Sequence, residues 1–139
     1  MRRNTDSTGK MVEQDPECLF CYANIKHRIV EEYHTMCAIK DSCPVSEGHM
    51  LIVPRRHSAD YFSLSENEKR DADKLIHLLR KKILEKDSTV TGFNIGVNNG
   101  ESAGQTIFHC HIHLIPRRDG DTPNPRGGVR GVIPDKMGY

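Results

Sequence analysis

Three histidines stand at alternating positions in one short stretch of the sequence, GQTIFHCHIHLIPRR over residues 104–118. They are His109, His111 and His113. The apolar residues between and beside them predict a β-strand, in which successive side chains point to opposite faces. The strand would therefore present the three imidazoles on one face. The opposite, core-facing side would carry Phe108, Cys110, Ile112 and Leu114.

Packing alone does not account for such a row of imidazoles. Rings that titrate near pH ~6.5 lose hydration on burial, and their charges repel one another. A neutral imidazole is a good nucleophile, and its attack on phosphorus gives a phosphoramidate that water opens in a second step. The pattern therefore predicts covalent catalysis at a phosphate group. Isolated histidines are predicted to be surface or hydrogen-bonded side chains, and these are His27, His34, His49 and His77.

Cys18 and Cys21 form a C-x-x-C pair in the first part of the chain. Because no apolar export signal precedes it, the pair favours a metal or redox site over a disulfide framework. Two thiols supply half of a tetrahedral zinc site. Alternatively, the thiols are simply reduced or joined in a labile disulfide. The candidates for the other half of a zinc site are Cys37, Cys43, His57 and His109.

Apolar periodicity predicts the elements that must hold these residues. A long helix is predicted from about residue 64 to about residue 86, begun by a capping box of Ser63 with Glu66 or of Ser65 with Glu68. Strands are predicted at residues 36–39, in GHMLIVP and in FNIGVN. Their order along the chain indicates an antiparallel meander.

A chain of 139 residues is long enough for one hydrophobic core. Residues 1–15 are polar and predict a flexible segment; residues 16–139 predict a single domain whose part from about residue 117 is extended. The 20 Lys and Arg residues nearly balance the 19 Asp and Glu residues, so no nucleic-acid partner is expected. No apolar run reaches the ~18 residues of a membrane span, so no membrane partner is expected and the predicted location is cytoplasmic.

The histidine row also resembles a family signature. Residues 109–115 follow the pattern histidine, apolar, histidine, apolar, histidine, apolar, apolar, which is similar to that of the histidine triad (HIT) nucleotide hydrolases and transferases. The resemblance extends to CLFC, AIKDSCPVSEGHMLIVPRRH and NIGVNNGESAGQTIFHCHIHLIPR, in the family's order. It implies an α+β fold with an antiparallel sheet of about five strands and one long packed helix. It also implies a homodimer in which two such sheets join.

The resemblance assigns roles to individual residues. It implies that His111 is the nucleophile, with one ring nitrogen donating to a backbone carbonyl, and that His113 and Gln105 complete the catalytic set. The implied substrate contacts, with Asp41 on the ribose and the others at the phosphates, are Asp41, Asn98, Gln105, Thr106 and His113. In the branches that carry the C-x-x-C pair, the implied ligands of a closed, structural zinc are Cys18, Cys21, His57 and His109. Arg126 and Arg130 could reach phosphates or belong to a solvated strap.

The function implied is hydrolysis at the α-phosphate of a nucleotide conjugate through a nucleotidyl-histidine intermediate. A dinucleoside polyphosphate such as diadenosine tetraphosphate is the first substrate class, and magnesium would enter with such a polyphosphate. A nucleoside phosphoramidase, acting on adenosine 5'-monophosphoramidate, uses the same intermediate with an amine leaving group. A non-catalytic nucleotide-binding adaptor is the alternative from another class.

Overall fold

The structure, a computed structural model, describes residues 2–5 and 11–139, with side chains from Gln14 onward. The strands are β1 (Arg2–Thr5), β2 (Met11–Gln14), β3 (Ile29–Tyr33), β4 (Met36–Lys40), β5 (Met50–Pro54), β6 (Val90–Val97) and β7 (Ile112–Arg118). The α-helices are α1 (Tyr22–Ile25) and α2 (Glu66–Lys86). Short 3-10 helices lie at Lys26–Arg28, Tyr61–Ser63, Glu101–Ala103, Gly128–Val132 and Pro134–Lys136.

Five of the strands form one antiparallel sheet in the order β3-β4-β5-β7-β6. The sequence-based prediction of an α+β fold with such a sheet and one long helix is therefore confirmed. Strand β5 is buried throughout, and β4 is buried except at Lys40, because both faces of these strands are covered. The central position of these strands lets one sheet support two separate layers of side chains.

Each face of the sheet has its own hydrophobic cluster. On one face, α2 packs against the sheet, and the buried residues are Met36, Ala38, Met50, Ile52, Leu64, Ala72, Leu75, Leu79, Cys110, Ile112 and Leu114. On the other face, the segment that carries the C-x-x-C pair packs against β4 and β5, and the buried residues are Cys18, Phe20, Cys21, Ile25, Cys37, Ile39, Leu51 and Val53. The alternation of β7 places His113 on this second face, away from α2.

Helix α2 begins with the second of the two predicted capping boxes. The Ser65 backbone N–H donates to Glu68 Oε1 at 2.8 Å, and the Glu68 N–H donates to Ser65 Oγ at 3.1 Å. Glu68 is buried and also forms an ion pair with Arg56 at 2.8 Å. The helix start is thereby tied to the segment that leads into His57.

The strand that carries the histidines is shorter than predicted. It begins at Ile112, so of the three histidines only His113 belongs to it. Just before it, the Cys110 N–H donates to the carbonyl of Ser58 in a loop, at 2.6 Å, rather than to a neighbouring strand. The alternation fails at Phe108, which was expected on the core face and is instead 51% exposed.

The two ends of the chain contain more local structure than the sequence indicates. Strands β1 and β2 pair within the segment predicted to be flexible, while residues 1 and 6–10 lie outside the described residues, so flexibility there stays a prediction. In the segment from residue 117, which was predicted to be extended, β7 continues to Arg118, and 3-10 helices follow at Gly128–Val132 and Pro134–Lys136. None of the helices in the described part of the chain is both long and apolar enough to cross a membrane.

The C-terminal segment folds back on itself. The guanidinium groups of Arg126 and Arg130 lie over the Tyr139 ring at 4.7 and 5.1 Å. Arg130 also donates to the carbonyls of Lys136 and Met137. Gly127 has φ +97°, and a Cβ there would lie 2.3 Å from the Met137 carbonyl oxygen. Both arginines are therefore engaged within their own segment.

Candidate active site

The three histidines lie close together on the sheet face opposite α2, although only one of them is in a strand. His109 is fully buried, His111 is 8% exposed and His113 is half-buried. The ring centroids of His111 and His113 are 5.5 Å apart. Exposure therefore increases along the row, and a substrate could reach the last two rings but not the first.

One hydrogen bond fixes the tautomer of His111. Its Nδ1 lies 2.8 Å from the backbone carbonyl oxygen of His109. A carbonyl oxygen can only accept, so Nδ1 must carry the proton. In the neutral ring the lone pair then lies on Nε2, which is the nitrogen available for attack.

His113 is fixed by a second histidine, His49. The N–H of Val45 donates to His49 Nδ1 at 3.1 Å, so the neutral His49 ring carries its proton on Nε2. This Nε2–H lies 2.9 Å from His113 Nδ1 and donates to it. His113 consequently holds its own proton on Nε2, where it can serve as a hydrogen-bond donor. Asp41 Oδ2 lies beside both rings, at 3.4 Å from His49 Nε2 and 3.9 Å from His113 Nδ1.

His49 is a site residue that the sequence interpretation missed. It was assigned to the isolated histidines, because nothing in its neighbours repeats at a spacing that indicates a site. The structure buries it immediately before β5, where its ring reaches His113 diagonally, because the direct cross-strand partner of His113 is Leu51. Burial lowers the pKa of both His49 and His113, and Asp41 acts in the opposite direction. Both rings are thus favoured in the neutral form that this donor chain requires.

Removal of the His49 donor should impair the site while leaving His111 in place. If the chain has the activity on nucleotide conjugates that the histidine triad resemblance implies, we expect His49→Phe to reduce that turnover by about 10–100-fold, because His113 loses the hydrogen bond that sets its tautomer. His49→Gln, whose amide can donate from a similar position, should recover part of this loss. Steady-state kinetics of the two variants make the comparison. Equal activity of His49→Phe and the wild type would exclude the assigned role.

The residues that were expected to contact phosphate differ in their burial and in their hydrogen bonds. Asn98 lies one residue beyond β6, whose last ladder pair is Val97 with Ile112, and its Nδ2 lies 4.0 Å from the position of a Cβ on Gly104. Thr106 is exposed. Gln105 is buried, and its amide group donates to the carbonyls of Ala59 and Ile107 while accepting from the Gly100 N–H. Gln105 therefore braces the loop before the histidines, a contact set that the sequence did not indicate.

His109 also belongs to a second group of side chains, which contains both cysteines of the C-x-x-C pair and a further histidine. The ligand-type atoms of Cys18, Cys21, His57 and His109 are all within 4.8 Å of one another. His109 Nδ1 is 3.4 Å from Cys18 Sγ and 3.7 Å from Cys21 Sγ, and His57 Nδ1 is 3.3 Å from Cys21 Sγ. Tetrahedral zinc holds sulfur and nitrogen ligands about 3.5 Å apart, so the spacing suits this metal.

The hydrogen bonds around this cluster also suit a metal. His109 Nε2 lies 2.8 Å from the carbonyl oxygen of Pro54, so it carries the proton and leaves the lone pair on Nδ1, toward the thiols. Burial lowers the pKa of His109 to about 4, which keeps the ring neutral. Burial raises the pKa of the Cys21 thiol to about 12, so a cation is needed to hold it as a thiolate. Cys37, in β4, and the exposed Cys43 are not members of this cluster.

Comparison with known proteins agrees with these features. A HIT domain model matches residues 22–120. The chain is 36% identical over 115 residues to the adenylylsulfatase HINT3 of Arabidopsis thaliana, covering 81% of this chain and 52% of that protein. It is 32% identical over 111 residues to the adenosine 5'-monophosphoramidase HNT1 of Candida albicans, covering 73% and 71%.

A solved structure supports the same assignment. The crystal structure of a Zn-bound histidine triad family protein from Mycobacterium smegmatis superposes with a TM-score of 0.69 at 28% identity, covering 78% of this chain and 80% of that one. The histidine row, the five-stranded sheet and the long helix therefore have a common explanation. The chain belongs to the HIT domain family.

Proposed function

We propose that the protein is a nucleotidyl hydrolase that cleaves at the α-phosphate of an adenosine nucleotide conjugate through a covalent intermediate on His111. The observation that carries the proposal is the hydrogen bond from His111 Nδ1–H to the His109 carbonyl, which leaves the Nε2 lone pair free. A neutral imidazole held in this way needs no further base to act as a nucleophile.

The proposed reaction has two steps. His111 Nε2 attacks the α-phosphorus, a P–N bond forms, and the bond to the leaving group breaks with its electron pair on that group. His113 Nε2–H, set by His49, donates to a phosphate oxygen as negative charge develops there. Water then attacks the same phosphorus, the P–N bond breaks, and the nucleoside monophosphate leaves with His111 restored.

The relatives suggest which leaving groups to test. One is named an adenylylsulfatase and another an adenosine 5'-monophosphoramidase, so both names describe an adenosine compound with a small leaving group. On this basis, we give adenosine 5'-monophosphoramidate equal weight with the dinucleoside polyphosphates indicated by the sequence. Diadenosine tetraphosphate as the preferred substrate, and a magnesium requirement with it, stay predictions.

Trapping of the intermediate tests the proposal directly. The protein is mixed separately with diadenosine tetraphosphate and adenosine 5'-monophosphoramidate, quenched during turnover and analysed by peptide mass spectrometry. We expect an adenylyl adduct on the peptide that contains His111, and the faster substrate identifies the leaving-group class. Product formed without any adduct on this peptide would contradict the mechanism. Binding of both compounds without product would instead assign a nucleotide-binding adaptor.

We also propose that Cys18, Cys21, His57 and His109 hold a zinc ion. Four protein ligands leave no coordination position for water, so the ion would have a structural role and supply no chemistry to the substrate. Its two imidazoles and two thiolates would join the N-terminal part of the domain to residues 57 and 109. One zinc per purified chain, measured by elemental analysis, is the expected content.

The homodimer implied by the family resemblance is a further proposal. Strand β6 lies at an edge of the five-stranded sheet, and Ile95 on this strand is 50% exposed. An edge strand with unpaired backbone groups and an exposed apolar side chain can pair with a second copy. The cytoplasmic location predicted from the sequence stays a prediction.

A further inference from the structure

Phe20 stands between the proposed zinc site and the proposed nucleophile. It is the second residue of the two between Cys18 and Cys21, and it is only 6% exposed. Its ring contacts His111 edge-on, with centroids 5.0 Å apart, and approaches His109 at 6.4 Å. One side chain therefore touches both the nucleophile and a proposed metal ligand.

Two backbone N–H groups in the segment around Phe20 donate hydrogen bonds to the thiols of the C-x-x-C pair. The Phe20 N–H donates to Cys18 Sγ at 3.4 Å, and the Asp15 N–H donates to Cys21 Sγ at 3.3 Å. Backbone donors of this kind favour charged thiolates over neutral thiols. Phe20 itself lies outside regular secondary structure, since α1 begins only at Tyr22. No strand or helix ladder holds Phe20, so the position of its ring against His111 depends on its packing in the cluster on this face and on the short hydrogen bonds of its segment, including those to the thiols.

We infer that Phe20 is a positioning residue that transmits the occupancy of the zinc site to the His111 ring. The inference rests on the proposed zinc site and on the proposed role of His111. The ring of His111 is supported by the His109 carbonyl, by the Phe20 ring and by the His113 ring. The His109 carbonyl belongs to a proposed zinc ligand, and Phe20 lies in the sequence between the two proposed thiol ligands. A bound zinc would keep the Phe20 ring in contact with the His111 imidazole and would keep His111 Nδ1 directed at the His109 carbonyl. Without zinc, both contacts would weaken.

The test reads the His111 tautomer rather than activity alone. Long-range proton–nitrogen NMR of protein labelled with ¹⁵N-histidine distinguishes an Nδ1–H ring from an Nε2–H ring. We expect a single Nδ1–H form of His111 in the zinc-loaded wild type and a mixture of both forms after chelation. Phe20→Ala should also show both forms with its zinc still bound, and about tenfold lower kcat. Phe20→Leu, which keeps apolar volume, should lie between.

The controls separate this role from general loosening of the segment. Leu19→Ala changes the neighbouring residue, which is 63% exposed, and should match the wild type in zinc content, tautomer and kcat. Chelation of Phe20→Ala should produce a smaller change at His111 than chelation of the wild type, because only the effect through the His109 carbonyl remains. A second, equal change on chelation would overturn the inference, as would loss of zinc from Phe20→Leu or an unaltered tautomer in Phe20→Ala. Because no substrate is present in the NMR sample, the tautomer and zinc-content outcomes, unlike kcat, are independent of whether the proposed hydrolysis is correct.

Discussion

His111→Asn should abolish turnover while leaving nucleotide binding almost unchanged. We expect a loss of at least about 10⁴-fold in kcat, because the variant has no nitrogen lone pair that can form the P–N bond. An asparagine amide can still donate from roughly the position of Nδ1–H, so the backbone around residues 109–113 should keep its conformation. Affinity for adenosine monophosphate, measured by calorimetry, should stay within a few-fold of the wild type.

A histidine outside the site provides the matched control. His77 lies on the exposed face of α2, where its ring Nδ1 is 2.8 Å from the backbone carbonyl oxygen of Asp73 in the same helix. His77→Asn makes the same chemical change there and should leave kcat and affinity as they are. Turnover retained in His111→Asn would show that another group attacks the phosphorus, and it would remove the basis of the proposed mechanism.

Removal of one proposed zinc ligand should strongly destabilise the folded protein. Cys18→Ser takes away a thiolate and leaves a buried donor set without its cation, which we expect to reduce the free energy of unfolding by several kcal/mol. For a domain of this size, such a loss lowers the Tm by about 10 °C or more. Zinc content should fall from one per chain to near zero. Calorimetry and elemental analysis measure the two effects.

Cys43→Ser is the control for that experiment. Cys43 is exposed and is not a member of the thiol and imidazole cluster, and its contact with Asp41 uses only its backbone N–H. The same substitution should therefore leave zinc content and Tm unchanged. If Cys18→Ser were equally stable and still contained zinc, the ion would have to lie elsewhere in the chain.

The sequence predicted the parts of the fold whose signals are local. The α2 capping box at Ser65 and Glu68 follows from residue types three positions apart, and the apolar runs in β4 and β5 follow from burial on both faces. The start of β7 could not be predicted in this way. It depends on the Ser58 carbonyl, 52 residues earlier in the chain, which takes the hydrogen bond of Cys110 out of the sheet.

The candidate site shows the same division. The histidine row and the C-x-x-C pair were visible as spacing, and the structure brings Cys18 and Cys21 to His57 and His109. The part played by His49 was not visible, because its partners are the backbone of Val45 and a side chain 64 residues away. For Gln105, the family resemblance implied a phosphate contact, but in the structure the carbonyls of Ala59 and Ile107 accept both of its amide hydrogens.

The late start of β7 also sets a limit on transplanting this site into other scaffolds. In a regular interior strand, each carbonyl is engaged by the neighbouring chain and is not free to orient an imidazole two residues later. Here residues 109–111 precede the ladder, and the His109 carbonyl is left to accept from His111. A designer who writes the same alternating histidines into an ideal sheet would reproduce the spacing but leave the middle ring without its orienting acceptor.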